Sequence, residues 1–208
     1  MKIKSIFISL LLLISWVALQ AFARSQPSSG AHTHPDIVLA KKGAPKHVSA
    51  QATIMVWLGD KFSTLIQGSN AFTCLVLRDD KGRYEPSCLN KAAMQAILPV
   101  YEYQTAQLAK GINIKTIHAN IKKMAEAGTF TAPAPGGVVY MMAPDNKYYD
   151  HFSNTLMDIP PHIMLYYPTL DKTEIGFNND NGVPMFYDEY PHLSVVHINT
   201  DVQLTEGL

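Results

Sequence analysis

Asp158-Ile159-Pro160-Pro161-His162-Ile163-Met164-Leu165-Tyr166-Tyr167-Pro168 reads as a strand reached through a double proline. Pro160 and Pro161 disfavour a helix running into them, and the six residues between Pro161 and Pro168 are β-branched, aromatic or long apolar types. On a strand, His162, Met164 and Tyr166 fall on one face, and Ile163, Leu165 and Tyr167 on the other. Ile163 and Leu165 are expected to face the core, leaving His162 and Tyr166 on a polar-tipped face. A shorter echo, Pro191-His192-Leu193-Ser194-Val195-Val196-His197-Ile198, follows. The two strands are expected to neighbour each other in one sheet. His162, Tyr166, His192 and Ser194 would then converge if the register aligned them, with His151 arriving from the loop Tyr148–Phe152.

Strand patterns recur outward from this pair. Ala52–Leu58, Phe62–Ile66, Phe72–Leu77 and Val138–Met142 are apolar and β-branched runs bounded by turn residues. Thr173–Phe177 and Val183–Tyr187 flank Asn181-Gly182 as an expected hairpin. The central part has helical character. Asn90 is placed to cap Lys91–Leu98, Pro99 is expected to end that run and begin Val100–Lys110, and Asn113 caps a third run closed by Gly128. Strands, then two to three helices, then strands predict an α+β fold with a largely antiparallel sheet.

Both cysteines, Cys74 and Cys88, flank the turn Asp79-Asp80-Lys81-Gly82. A hairpin closing over that turn brings them together, so a structural disulfide is expected. Such a bridge belongs to an oxidising compartment. The N-terminus agrees with that placement. Lys2 and Lys4 precede the apolar run Ile6–Leu19, and Ala21-Phe22-Ala23 supplies a small-x-small cleavage pattern. Residues 1–23 are therefore expected to be a signal peptide, 24–50 a flexible segment, and 51–208 one α+β domain. The mature chain is expected to be exported, periplasmic or secreted, with no transmembrane segment.

Charge excludes one class of partner. Removing residues 1–23 takes away Lys2 and Lys4 and none of the 17 acidic side chains, leaving a formal charge of −2. Charged residues make up 16% of the chain, against about 25% in an ordinary domain. No basic surplus or stripe exists for nucleic acid. The expected partner is instead a small molecule or a cell-envelope component.

Motifs for nucleotide binding, zinc proteases and serine elbows are absent. The run Asn178–Gly182 fails as a calcium loop because Phe177 falls on the first ligand position. His32-Thr33-His34 lies in a Ser/Gly/Pro context, without an acidic or Cys cluster at ligand spacing. No metal site and no cofactor are expected from it. His118, beside the apolar stripe of the third helical run, is expected to be structural.

Three functions fit these residues. The favoured one is a small-ligand or envelope-component binding module lined by His151, His162, Tyr166 and His192. A hydrolase-like enzyme would use His162 or His192 as general base. A periplasmic copper-binding protein would draw on Met141, Met142, Met157, Met164 and Met185 near His151, His162 and His192. Whether the chain is an enzyme is open at this level. Gly68–Cys74, Glu85–Cys88, Val139–Met142 and Pro161–Pro168 together resemble a group of uncharacterised exported bacterial proteins. The resemblance implies export and paired cysteines and brings no activity with it.

Overall fold

The computed structural model describes residues 34–133, 136–168, 170, 171, 173, 175, 176, 185–190 and 192–200. Among the described residues ten strands form one sheet: β1 (Thr53–Trp57), β2 (Phe62–Ile66), β3 (Phe72–Arg78), β4 (Tyr84–Asn90), β5 (Gly137–Met141), β6 (Lys147–Asp150), β7 (Thr155–Asp158), β8 (His162–Tyr167), β9 (Met185–Tyr190) and β10 (Leu193–Asn199). Their order is β2-β1-β3-β4-β5-β8-β10-β9, with β6 beside β4 and β7 beside β6. Every pairing is antiparallel except β1 with β3. The α+β class and the mostly antiparallel sheet expected from the sequence are what the chain forms. The Thr173–Phe177/Val183–Tyr187 hairpin lies largely outside the described residues; Thr173, Ile175 and Gly176 are in turns.

The β3–β4 hairpin is the centre. Cys74 stands directly opposite Cys88, and the two form a disulfide closing a separation of 14 residues. The turn is built as its residues predict. Asp79 Oδ1 accepts the backbone N–H groups of Lys81 and Arg83, and Gly82 takes the positive φ of 96° that favours glycine.

Both faces of this hairpin are covered. Leu75, Leu77 and Leu89 pack under α3 (Lys91–Ala109) and α4 (Ile114–Glu126). Cys74, Val76 and Cys88 face the other way, against Ile37, Ala40, Ala44 and Val48. Ile37 and Ala40 belong to α1 (Asp36–Ala40), Ala44 follows a 3-10 turn (Lys41–Gly43), and Val48 belongs to α2 (Lys46–Ser49). The expected flexible segment 24–50 is thus corrected from Asp36 onward. Its Ser/Gly/Pro character ends at Pro35, and Ile37, Ala40 and Val48 then recur at helical spacing to bury an apolar stripe. Arg78 fixes the start of the segment, donating to Asp36 Oδ1 at 2.7 Å.

A second correction concerns Pro99. α3 runs unbroken through it, because Asn90 caps its start by accepting the Ala93 N–H at 3.0 Å, and Ala93, Ala96, Ile97, Val100 and Tyr101 bury one continuous face. Packing along that face outweighs the one lost hydrogen bond. Asn90 also accepts the Val138 N–H and so ties the helix start to β5.

β5 through β8 make one long hairpin, broken at the same level in both strands. Its inner part pairs Met141 with His162, and its outer part pairs Lys147 with Asp158. Between them lie residues 142–146 on one strand and Ile159–Pro161 on the other. Pro86 of β4, which has no N–H to give a ladder, stands level with this interruption. Tyr148–Phe152, read from sequence as a loop, is strand β6 up to Asp150.

Two stability measurements follow. Replacing both cysteines, Cys74→Ala with Cys88→Ala, should lower unfolding free energy by about 3 kcal/mol for a loop of this length, measured by urea titration. Gly43→Ala should cost about 1–3 kcal/mol through overpacking, because its Cβ would stand 2.7 Å from backbone atoms of Pro86 and Ser87. An unchanged midpoint for Gly43→Ala would show that the N-terminal segment does not dock on β4.

Candidate functional site

The β8–β10 register decides what the expected site residues can do. Asn199 pairs with His162, His197 with Met164, and Val195 with Tyr166. His192 precedes β10 at the far end from Asn199, about 20 Å away along the strand. The structure therefore does not bring His162 and His192 together. The buried face is also the reverse of the expected one. His162, Met164 and Tyr166 are buried, whereas Ile163, Leu165 and Tyr167 are half-buried. The physical reason is the helix layer: Met164 and Tyr166 pack into the cluster formed under α3 and α4, while α1 and α2 cover β1, β3 and β4 on the other side. Inside, the polar tips find local partners. His162 Nδ1 donates to the Pro160 carbonyl at 2.8 Å, and the Tyr166 hydroxyl donates to Met164 Sδ at 3.4 Å. His192 stacks beside Phe130, with ring centroids 6.4 Å apart.

His151 is the expected site residue that does line a cleft. The cleft encloses about 50 Å³, between the β3–β4 turn, α3, α4, the outer hairpin and the end of β9. Its floor is a buried ion pair. Arg83 Nε donates to Glu85 Oε2 at 2.6 Å, with side chains 12% and 3% exposed. Arg83 and Glu85 sit two residues apart on an extended chain, so both side chains leave on the same face. The guanidinium lies between the Tyr101 and Tyr148 rings, 5.7 Å from each centroid. Burial works against the Arg83 charge, but Glu85, Tyr101 and Tyr148 outweigh it and hold the guanidinium firmly cationic. Burial raises the Glu85 carboxyl, with Arg83 pulling the other way.

Around this floor stand three further pairings. Tyr190 donates its hydroxyl to Gln104 Oε1 at 3.0 Å, both residues being buried. His118 lies between rings, 5.1 Å from Phe152 and 5.4 Å from Tyr190. Burial lowers its pKa, so the imidazole is neutral at physiological pH. His118, expected to be structural, packs between these two rings in the wall of the cleft. His151 Nε2 stands 3.1 Å from Asp79 Oδ2, and its ring packs edge-on against Tyr149 at 4.8 Å. The same Asp79 carboxylate thus orders the turn through one oxygen and meets His151 with the other.

Sequence reading missed Arg83, Glu85, Tyr101, Gln104 and Tyr190. Only the Arg83-x-Glu85 spacing on a strand signalled a paired charge. Tyr101 and Gln104 share a helix face by their three-residue spacing, but nothing local says which strand that face meets.

Of the residues considered for copper, Met141 and Met164 lie beside His162 on β5 and β8, whereas His151 and His192 stand elsewhere. Met141 and Met164 are core residues, Met157 is exposed, and His151, His162 and His192 lie in different places. Among the described residues no three His, Cys, Asp or Glu side chains stand together as a metal site. His34 Nδ1 accepts the Asp36 N–H, and His32 lies outside the described residues. No described helix is long and apolar enough to cross a membrane. None of the family models, curated proteins or solved structures compared with the chain matches it.

Four imidazoles give a pH dependence with a definite sign. Burial lowers the pKa of His118, His162 and His192, and burial with the neighbouring His162 lowers His197 to about 4. Each takes up its proton more readily in the unfolded chain, so its stabilising contribution is full above about 6.5 and lost as pH falls. Glu85 acts in the opposite sense, its raised carboxyl favouring the folded state as pH drops. Four groups against one predict lower urea stability at about pH 5 than at about pH 7. A higher midpoint at the acid value would contradict the neutral, buried state of these histidines.

Proposed function

We propose that this protein is a binding module whose cleft takes a neutral, hydroxyl-bearing end of a larger ligand, of the saccharide type found in cell-envelope components. One observation carries the reading: the cleft is walled by Tyr101, Tyr148, Tyr149, Phe152 and Tyr190, and its one buried cation, Arg83, is already neutralised by Glu85. Tyrosine offers a flat apolar face with a polar tip, which suits a ring carrying hydroxyls. A neutral floor disfavours a free anion, because Arg83 has its partner at 2.6 Å. At about 50 Å³, the cleft accepts a substituent or ring edge, far less than the several hundred Å³ that engulf a whole small molecule.

Export supports the same reading. The Cys74–Cys88 disulfide suits an oxidising compartment, and residues 1–23 carry a leader pattern. A periplasmic or secreted protein meets envelope material directly.

A hydrolase-like activity is the second reading, and the His151–Asp79 pairing favours it. A carboxylate that orients an imidazole is the arrangement of a general base. His151 replaces His162 and His192 in that role, since His162 is 1% exposed and already donates to Pro160.

One titration series separates the two. Thermal shift and ring-proton NMR with neutral oligosaccharides should show binding to the chain with its disulfide formed. Tyr148→Ala should weaken it at least about tenfold through the lost ring contact, while His151→Ala leaves most of the affinity. Conversion of the oligosaccharide, abolished by His151→Ala, selects the hydrolase. Neither binding nor conversion by any neutral saccharide removes the proposal.

A further inference from the structure

Away from the cleft, two buried imidazoles touch. The His162 and His197 ring centroids are 3.8 Å apart, with planes at 52°, and the residues are 1% and 9% exposed. Cross-strand pairing puts His162 opposite Asn199 and Met164 opposite His197. His162, His197 and Asn199 therefore project from the same face of adjacent strands, His197 and Asn199 two residues apart on one of them.

The tautomer of His162 is fixed. Its Nδ1 lies 2.8 Å from the Pro160 carbonyl oxygen, which can only accept, so Nδ1 carries the proton and Nε2 carries the lone pair. This backbone-carbonyl clamp on one ring nitrogen is how metal-binding histidines are commonly held with the other presented as ligand. Asn199 Oδ1 is buried and has no hydrogen-bond partner among the described residues. A buried amide oxygen in that state is costly to leave unsatisfied. Met164, although adjacent, has its sulfur accepting the Tyr166 hydroxyl and is not needed as a ligand.

We infer that His162, His197 and the Asn199 side-chain oxygen form a binding site for a borderline divalent transition-metal ion of the zinc or copper class. Two imidazoles and one carbonyl-type oxygen suit that class better than magnesium or calcium, which prefer oxygen-only shells. Three protein donors leave a fourth position of the usual tetrahedral shell for water or another ligand. Two imidazoles on one tetrahedral ion have ring centroids about 5 Å apart, so metal entry has to part these rings from 3.8 Å, and the clamp on His162 assigns most of that movement to His197. The site is independent of the tyrosine-lined cleft, and either can fail without the other.

Zn(II) is the probe, being diamagnetic. The chain with its disulfide formed carries His32→Ala and His34→Ala, so that the N-terminal His-x-His pair cannot compete. Histidine ring ¹⁵N NMR should show Nε2 of His162 and a ring nitrogen of His197 moving together, saturating at one equivalent. His162→Gln and His197→Gln should each weaken Zn(II) binding at least about tenfold in calorimetric titration, and Asn199→Ala by less. Should either glutamine variant not fold, the ring shifts of the parent chain decide alone. Shifts confined to His47, His118, His151 or His192, or none at millimolar Zn(II), overturn the inference. Undiminished affinity in folded His162→Gln does so equally.

Discussion

The β3–β4 hairpin is covered on both faces, and the rest of the chain is arranged to meet that demand. Alternation along β3 sends Leu75 and Leu77 under α3 and α4, and Cys74 and Val76 towards α1 and α2. A strand buried on both sides needs two apolar layers, and this sequence supplies one before it and one after it. The disulfide sits in the thinner layer, where short helices bury little area. Cross-linking residues 74 and 88 restricts the unfolded chain and reinforces the pairing that both layers pack upon.

The consequences reach the cleft. The turn closing this hairpin holds Asp79 and Arg83 a few residues apart, and β4 adds Glu85. Turn, ion pair and His151 contact therefore share one framework. Arg83 is placed by a backbone hydrogen bond to Asp79 at 3.0 Å and by Glu85 at 2.6 Å, so its guanidinium has little freedom between the two tyrosine rings. A cleft with such a floor is preorganised, which suits recognition of a rigid, neutral group.

Local chemistry made the fold largely legible, and the site much less so. The Asp79–Gly82 turn, the opposed cysteines, the Asn90 and Asn113 caps and the strand runs each carry a short-range signal. What failed were statements that depend on coverage by distant parts. Ile163 and Leu165 look like a core face in isolation, but α3 and α4 lie on the His162 side. His162 and His192 both head strands rich in apolar residues, yet antiparallel register pairs His162 with Asn199 and leaves His192 at the other end. Register and layer are set by contacts between segments, which one-dimensional periodicity does not encode. The residues 36–49 were misread for a related reason: a polar tail runs directly into a helical stripe without a strong cap to mark the change, and Pro35 makes no side-chain capping bond.

The double proline takes on a different meaning once the broken hairpin is seen. Tyr148, Tyr149, His151 and Phe152 ride on its outer part, which touches the body of the sheet through the pairing of Tyr84 with Lys147. Pro160 and Pro161 lie in the break and hold their own φ near −65°, while Ile159 donates its N–H to Asn146 across the gap at 3.1 Å. The tip behaves as a bracket whose angle is set by two rigid residues outside the cleft. The width of the aromatic wall is in that sense written into Pro160-Pro161, two residues that do not themselves line the cleft.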